Sequence, residues 1–207
     1  MTAQSTLYLF IPTFFLVSIT PGMCMTLSMI LGMTIGVKKT FWMMWGELFG
    51  VGLISVAAVI GVATIMLNSP AIFTALKFIG GGYLIFLGIS MWRAKGKMAI
   101  TNDIKGPTDV RRKALMLQGF ITAIANPKGW AFMISLLPPF INQSLPLFPQ
   151  LTLLVGIILI TEFLCLTLYA SGGRSLRLLL TKEKNVRLLN RISGSLMVGI
   201  GIWLATV

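Results

Sequence analysis

The chain has 207 residues, of which 56% are hydrophobic and 11% charged, and its mean hydropathy is +0.90. A soluble domain carries about 25% charged residues, so this set cannot cover a water-facing surface, and an ordinary soluble enzyme is excluded. The formal net charge is +12 and there is no His, which excludes His-based general-base, metal-site and Ser-His-Asp chemistry.

A helix that crosses about 30 Å of hydrocarbon needs about 20 mostly apolar residues, and uncharged runs counted on that basis predict six spans. Span one runs from Leu7 to Ile35 and is interrupted at Thr20-Pro21-Gly22. The first 37 residues are uncharged, lack a basic n-region and run past a signal-peptide apolar core, so this segment is expected to be retained. Span two, Phe41 to Leu67, carries Glu47; span three, Pro70 to Trp92, carries Lys77 and the glycine row Gly80, Gly81, Gly82 and Gly88. Residues 93–113 are basic and contain Gly96, Gly106 and Pro107, the composition of a flexible linker. Span four, Ala114 to Ile141, is interrupted at Asn126-Pro127-Lys128. Span five, Leu147 to Ser171, carries Glu162, and span six, Leu188 to Ala205, carries Gly194, Gly199 and Gly201. Cys24 and Cys165 fit no disulfide framework or metal-ligand spacing and read as small core residues.

Charge orients the spans. Lys38 and Lys39 fall between spans one and two, Arg93, Lys95, Lys97, Lys105, Arg111, Arg112 and Lys113 between three and four, and Arg174, Arg177, Lys182, Lys184, Arg187 and Arg191 between five and six. Those connections hold 15 of the 17 Lys and Arg residues. The positive-inside bias makes them cytoplasmic and puts both termini outside. Because the basic stretches alternate with spans and interleave few aromatic residues, anionic lipid headgroups are their expected partners, not nucleic acid.

Three spans on each side of the linker force the second triplet into the membrane with opposite topology. The expected fold is therefore an all-α membrane protein: six transmembrane helices in two inverted-topology three-helix repeats, 1–92 and 114–207, around a 93–113 cytoplasmic linker. Spans one and four each break at a proline, and Gly81 to Gly88 in span three matches the interval from Gly194 to Gly201 in span six. Proline removes a backbone hydrogen bond, which a membrane tolerates only where other groups take up the freed carbonyl. Two readings stay open: a pair of packing kinks, or discontinuous helices around a central site that aim helix N-termini at an anionic group and free carbonyls at a cation. The glycine faces permit a homodimer.

Glu47 and Glu162 are the only acids inside the spans, and Lys77 and Lys128 the only bases. An unpaired charge in hydrocarbon costs several kcal/mol, so such residues are functional candidates by default. Glu162 falls near the midplane, about 15 Å into span five, and Glu47 about 9 Å into span two, nearer the cytoplasmic surface. Glu162 is a functional carboxyl or a structural partner, and Glu47 is a functional or an interfacial residue. Lys128 could pair with Glu162 or meet a substrate carboxylate. Lys77 can snorkel outward and receives no role. The 13 Met and 13 Phe imply no cofactor.

With these motifs the chain resembles the LysE/RhtB family of amino-acid exporters, within the LysE superfamily, along nearly its whole length. The resemblance is carried by Thr20-Pro21-Gly22, Gly46 and Gly50, the run from Phe78 to Gly88, Asn126-Pro127-Lys128 and Glu162. Two positions depart from the family pattern: Met23 stands where a second proline is common, and Val51 where an Asp often follows the second glycine. The resemblance implies export of an amino acid or related small metabolite from the cytoplasm, coupled to proton exchange, and no enzymatic activity. Thr20, Pro21, Gly22, Glu47, Asn126, Pro127, Lys128 and Glu162 are the expected substrate-binding residues, with Glu162 and Glu47 as proton-coupling groups and no metal. An exporter of a metal or inorganic cation ranks second, because two acids, no His and two scattered Cys make a poor cage. An intramembrane enzyme ranks last, for want of a nucleophile with a base beside it.

Overall fold

The structure is a computed structural model and describes residues 3–94, 110–137, 140–141 and 145–206. Residues 95–109, most of the expected linker, lie outside the described residues, as does the Lys77 side chain. The described residues form eight helices and no strand: α1 (Ala3–Ser18), α2 (Met23–Thr34), α3 (Val37–Asn68), α4 (Pro70–Arg93), α5 (Arg112–Ile124), α6 (Pro127–Leu136), α7 (Leu147–Thr181) and α8 (Glu183–Thr206).

The expected breaks are present. Span one is α1 plus α2, bent by 57°, and span four is α5 plus α6, divided at Ala125 and Asn126. By length and composition, Val37–Gly61 and Leu147–Gly173 are each sufficient to cross a bilayer, and the bent pair taken as one broken span makes three.

The basic connections differ from expectation. Lys38 and Lys39 stand in the first turn of α3, and α2 reaches α3 through Ile35 and Gly36, the latter at φ 83°. Arg174 and Arg177 continue α7, and Lys184, Arg187 and Arg191 already belong to α8. Leu, Arg, Lys and Glu are all good helix formers, so a segment read by charge as a connection keeps its helical backbone. The chain changes direction instead at Gly173, where φ is +32° and ψ −111°, a left-handed value that glycine adopts without a Cβ clash.

Packing follows the glycines. α3 lies along α5 and touches α6, α7 lies along α2 and touches α1, and α4 lies along α8. A long helix of each half thus holds both segments of the other half's broken helix. A Cβ on Gly46 would overlap the Met116 carbonyl of α5, and one on Gly119 would overlap the Met43 carbonyl of α3. In the α4–α8 pair, a Cβ on Gly194 would stand 2.6 Å from the Gly88 oxygen and one on Gly201 2.6 Å from the Gly81 oxygen. Gly88, Gly194 and Gly201 are therefore consumed within the molecule, whereas Gly82 and Gly199 meet nothing within 4 Å. Where apolar surface faces lipid, such close approach and its dispersion contacts hold helices together.

Two apolar cores result. One gathers Phe10, Phe14, Val51, Ile54, Phe132, Leu137 and Ile158; the other gathers Met25, Met29, Met43, Met44, Leu115, Leu166 and Tyr169. Gly119→Val forces α5 off α3 and is expected to destabilise the protein by about 1–3 kcal/mol. The check is a lowered unfolding midpoint in detergent, against a near-unchanged midpoint for Gly82→Ala; equal midpoints would mean that α3 and α5 do not meet at Gly119.

Candidate functional site

The site is built from what Pro21 takes away. An α-helix continuing from α1 would pair the Val17 carbonyl with the N–H of residue 21, and proline has none. Instead the Val17 oxygen accepts from Thr20 N at 3.2 Å and from the Lys128 ammonium at 3.0 Å. The same ammonium donates to the Thr20 carbonyl at 3.3 Å. Thr20 has withdrawn its N–H from Leu16, and its hydroxyl replaces that bond at 2.8 Å. With its only hydroxyl proton so committed, Thr20 is the acceptor in its short contact with Ser193 of α8. The Ile19 carbonyl accepts from the Tyr169 hydroxyl of α7 at 2.8 Å. The end of α1 is thus closed by side chains from α6, α7 and α8, and a cation stands at the negative end of its dipole.

The second break is satisfied from within. Asn126 N donates to Ala123 O at 3.1 Å, and the Asn126 carbonyl accepts from Gly129 N and Trp130 N. The Asn126 side chain is a true N-cap, its oxygen accepting from Lys128 N at 3.2 Å, while its amide nitrogen reaches the Cys24 sulfur at 3.6 Å. Pro127 supplies helical φ at the first position and needs no donor there.

The two breaks meet around one small cavity of about 50 Å³ that opens at a mouth. Thr20, Gly22, Glu47, Asn126, Lys128 and Glu162 all line it. Pro21 and Pro127 do not; Pro21 is half-buried and Pro127 exposed, because what each contributes is a missing N–H rather than a contact. The apolar part of the wall is Phe14, Val51, Ile54, Phe132 and Met133.

Glu47 is 1% exposed, so it is not an interfacial residue. The neighbouring Gly46 and the facing Gly119 draw α3 and α5 together, and this contact seals Glu47 inside. Its Oε2 is buried without a hydrogen-bond partner. Glu162 accepts from the Ser18 hydroxyl on Oε1 at 3.1 Å, and its Oε2 is likewise buried and unpartnered. The Lys128–Glu162 pair, one of the two readings open for Lys128, is not formed among the described residues: Lys128 spends two of its three N–H groups on backbone carbonyls. Those bonds give a donor to the Thr20 carbonyl and a second donor to the Val17 carbonyl, which already accepts from Thr20 N.

Several contributors escaped the sequence reading. Ser18, Tyr169 and Ser193 carry no motif; Cys24 is a buried core residue, as its sequence surroundings indicate, and its thiol also lies between Asn126 and Glu47. A signal was available for Gly119, which forms a small-xxx-small pair with Ala123. Among the described residues no three His, Cys, Asp or Glu side chains gather where they could hold a metal ion.

Broken helices that meet at a charged cavity inside an apolar helical bundle define a membrane transport protein. The family can be stated directly: the chain belongs to the LysE type translocators, whose model matches residues 13–207. It is 29% identical over 191 residues to a homoserine/homoserine lactone efflux protein of Salmonella typhi, covering 92% of this chain and 91% of that one. It is 28% identical over 183 residues to a leucine efflux protein of Klebsiella pneumoniae, covering 85% and 83%. An uncharacterized membrane protein of Vibrio cholerae is 28% identical over 193 residues, 91% of each chain. No solved structure matches.

Lys128→Met strips the donor from the Val17 and Thr20 carbonyls and is expected to cost about 2–5 kcal/mol, as for one partner lost from a buried charge-assisted bond. Amide hydrogen exchange should rise at the end of α1 and across Met23–Thr34, and Lys128→Arg should restore protection; exchange as slow as in the wild type would remove Lys128 from this role.

Proposed function

We propose that the protein exports an amino acid or closely related small metabolite from the cytoplasm across the bacterial inner membrane by proton antiport. The observation that carries this reading is the pair of unpartnered carboxylate oxygens, on Glu47 and Glu162, in one cavity with the Lys128 ammonium. A buried acceptor without a donor is costly, and a site that keeps two of them is built for a proton or a cationic group that arrives and leaves. The substrate-binding set is Thr20, Gly22, Glu47, Asn126, Lys128 and Glu162, positioned by the breaks at Pro21 and Pro127. Glu162 is the principal proton carrier and Glu47 the second. The amino-acid efflux names of the relatives agree with this substrate class.

Alternating access follows in this reading from rocking one three-helix repeat, 1–92, against the other, 114–207, with the cavity as pivot. The reciprocal packing of α3 on α5 and α6, and of α7 on α1 and α2, supports the inverted arrangement. The basic residues at the helix ends and in the 93–113 segment face the cytoplasm and anionic headgroups. Arg112 stands 4.9 Å over the Trp42 ring and Arg191 5.6 Å over the Trp92 ring, pairings suited to a bilayer interface.

Cells expressing the protein and loaded with dipeptides are expected to release the corresponding amino acid into the medium faster than cells without it; equal release refutes export. In proteoliposomes, Glu162→Gln should abolish the dependence of transport on a pH gradient, and unchanged dependence would remove Glu162 as the coupling group. Cysteine accessibility should place residues 93–113 inside and both termini outside.

A further inference from the structure

A count of what each polar group in the cavity already does leaves few free. Two of the three Lys128 ammonium protons are held by the Val17 and Thr20 carbonyls. The α6 N-terminus is closed: Pro127 has no N–H, Lys128 N is capped by the Asn126 side chain, and Gly129 N and Trp130 N bond the Asn126 carbonyl. The freed α1 carbonyls are taken by Lys128, Tyr169 and Thr20. The α2 N-terminus differs. Its cap position is Gly22, in extended conformation at φ −146° and ψ −173°, with no side chain capping the helix. Among the described residues no acceptor reaches the N–H groups of Met23, Cys24 and Met25. Gly22 and Cys24 line the cavity, and the Lys128 ammonium passes within 3.9 Å of where a Gly22 Cβ would lie.

Resting on the export reading, we infer that the substrate is bound by both poles of its α-amino-acid group: its carboxylate on the uncapped α2 N-terminus beside Lys128, and its ammonium on Glu47 and Glu162. The independent observation is Glu47, 1% exposed and with Oε2 unpartnered, on the wall of the same cavity. Three aligned N–H groups, the positive end of the α2 dipole and the remaining Lys128 proton form the anion pole. The two orphan oxygens form the cation pole, and Phe14, Ile54 and Phe132 are left for the side chain. The substrate class is then the α-amino acid with free amine and free carboxylate, and a compound missing either group forfeits one pole.

Gly22 makes the assignment testable, because a Cβ there meets only ordinary contacts at 3.9 Å and its backbone suits any residue. Serine at a cap position accepts from the N–H groups of the first turn and so competes with a carboxylate for them, whereas alanine adds the same carbon without the oxygen. Binding of the neutral amino acids to the purified full-length protein in detergent is measured first, and each one that binds is compared with its methyl ester and its N-acetyl derivative. The wild type is expected to bind the amino acid at least about tenfold more tightly than either derivative. Relative to Gly22→Ala, Gly22→Ser is expected to raise Kd about fivefold for the amino acid and less than about twofold for the ester. If the ester binds the wild type as tightly as the amino acid, or Gly22→Ser weakens both alike, the pole assignment is overturned while export stands. If no amino acid binds, the export reading fails and takes the assignment with it. Should Gly22→Ser not fold, the wild-type comparison of acid, ester and N-acetyl compound decides alone.

Discussion

The Lys128 ammonium, seated on the Val17 and Thr20 carbonyls, is the interaction on which the cavity depends. Proline at position 21 leaves a helix end inside an apolar bundle, where an unpaired carbonyl has no water to turn to. Lys128 follows Pro127 directly, so the residue that repairs the first break is placed by the second. One contact therefore makes the two discontinuities a single structure, and any relative motion of the two halves must stretch or replace it. The position is electrostatically consistent with this use: an ammonium in the first turn of α6 opposes that helix's dipole but complements the end of α1.

The acids are held by different means. Glu162 is tied by Ser18, a residue of the same α1 end that Lys128 closes, so the broken helix links the cation to one carboxyl. Glu47 is positioned by backbone: Gly46 and Gly119 allow α3 and α5 to touch at the Met116 and Met43 carbonyls, and its side chain is buried on the cavity wall beside that contact. The outcome is a compact charged layer in contact with two apolar cores, one rich in Phe and one rich in Met.

Both helix interruptions were legible because proline acts on its own backbone, and a missing N–H at positions 21 and 127 needs no partner to be noticed. The partner of Lys128 was not legible: sequence suggests that an ammonium seeks the nearest carboxylate, but it does not show that two backbone acceptors are closer. The interfacial reading of Glu47 failed because position along one helix does not show what packs beside it, and burial came from α5 crossing there. Arg174, Arg177 and Arg187 were assigned to a connection because charge marks the end of a hydrophobic span; it does not mark the end of a helix, and α7 runs on to Thr181 around the turn at Gly173.

Composition by itself determined that the chain is a helical membrane protein, and Pro21 and Pro127 marked two sites of interruption, since hydrophobic content and absent hydrogen bonds are local properties. Tertiary structure alone decided that Lys128 would close the other half's helix end, that Glu47 and Glu162 would share one cavity, and that α2 would be left uncapped while α6 was not. Those outcomes depend on which helix lies against which, and that is set by the close approach of glycine-bearing faces and by the need to satisfy every buried backbone group.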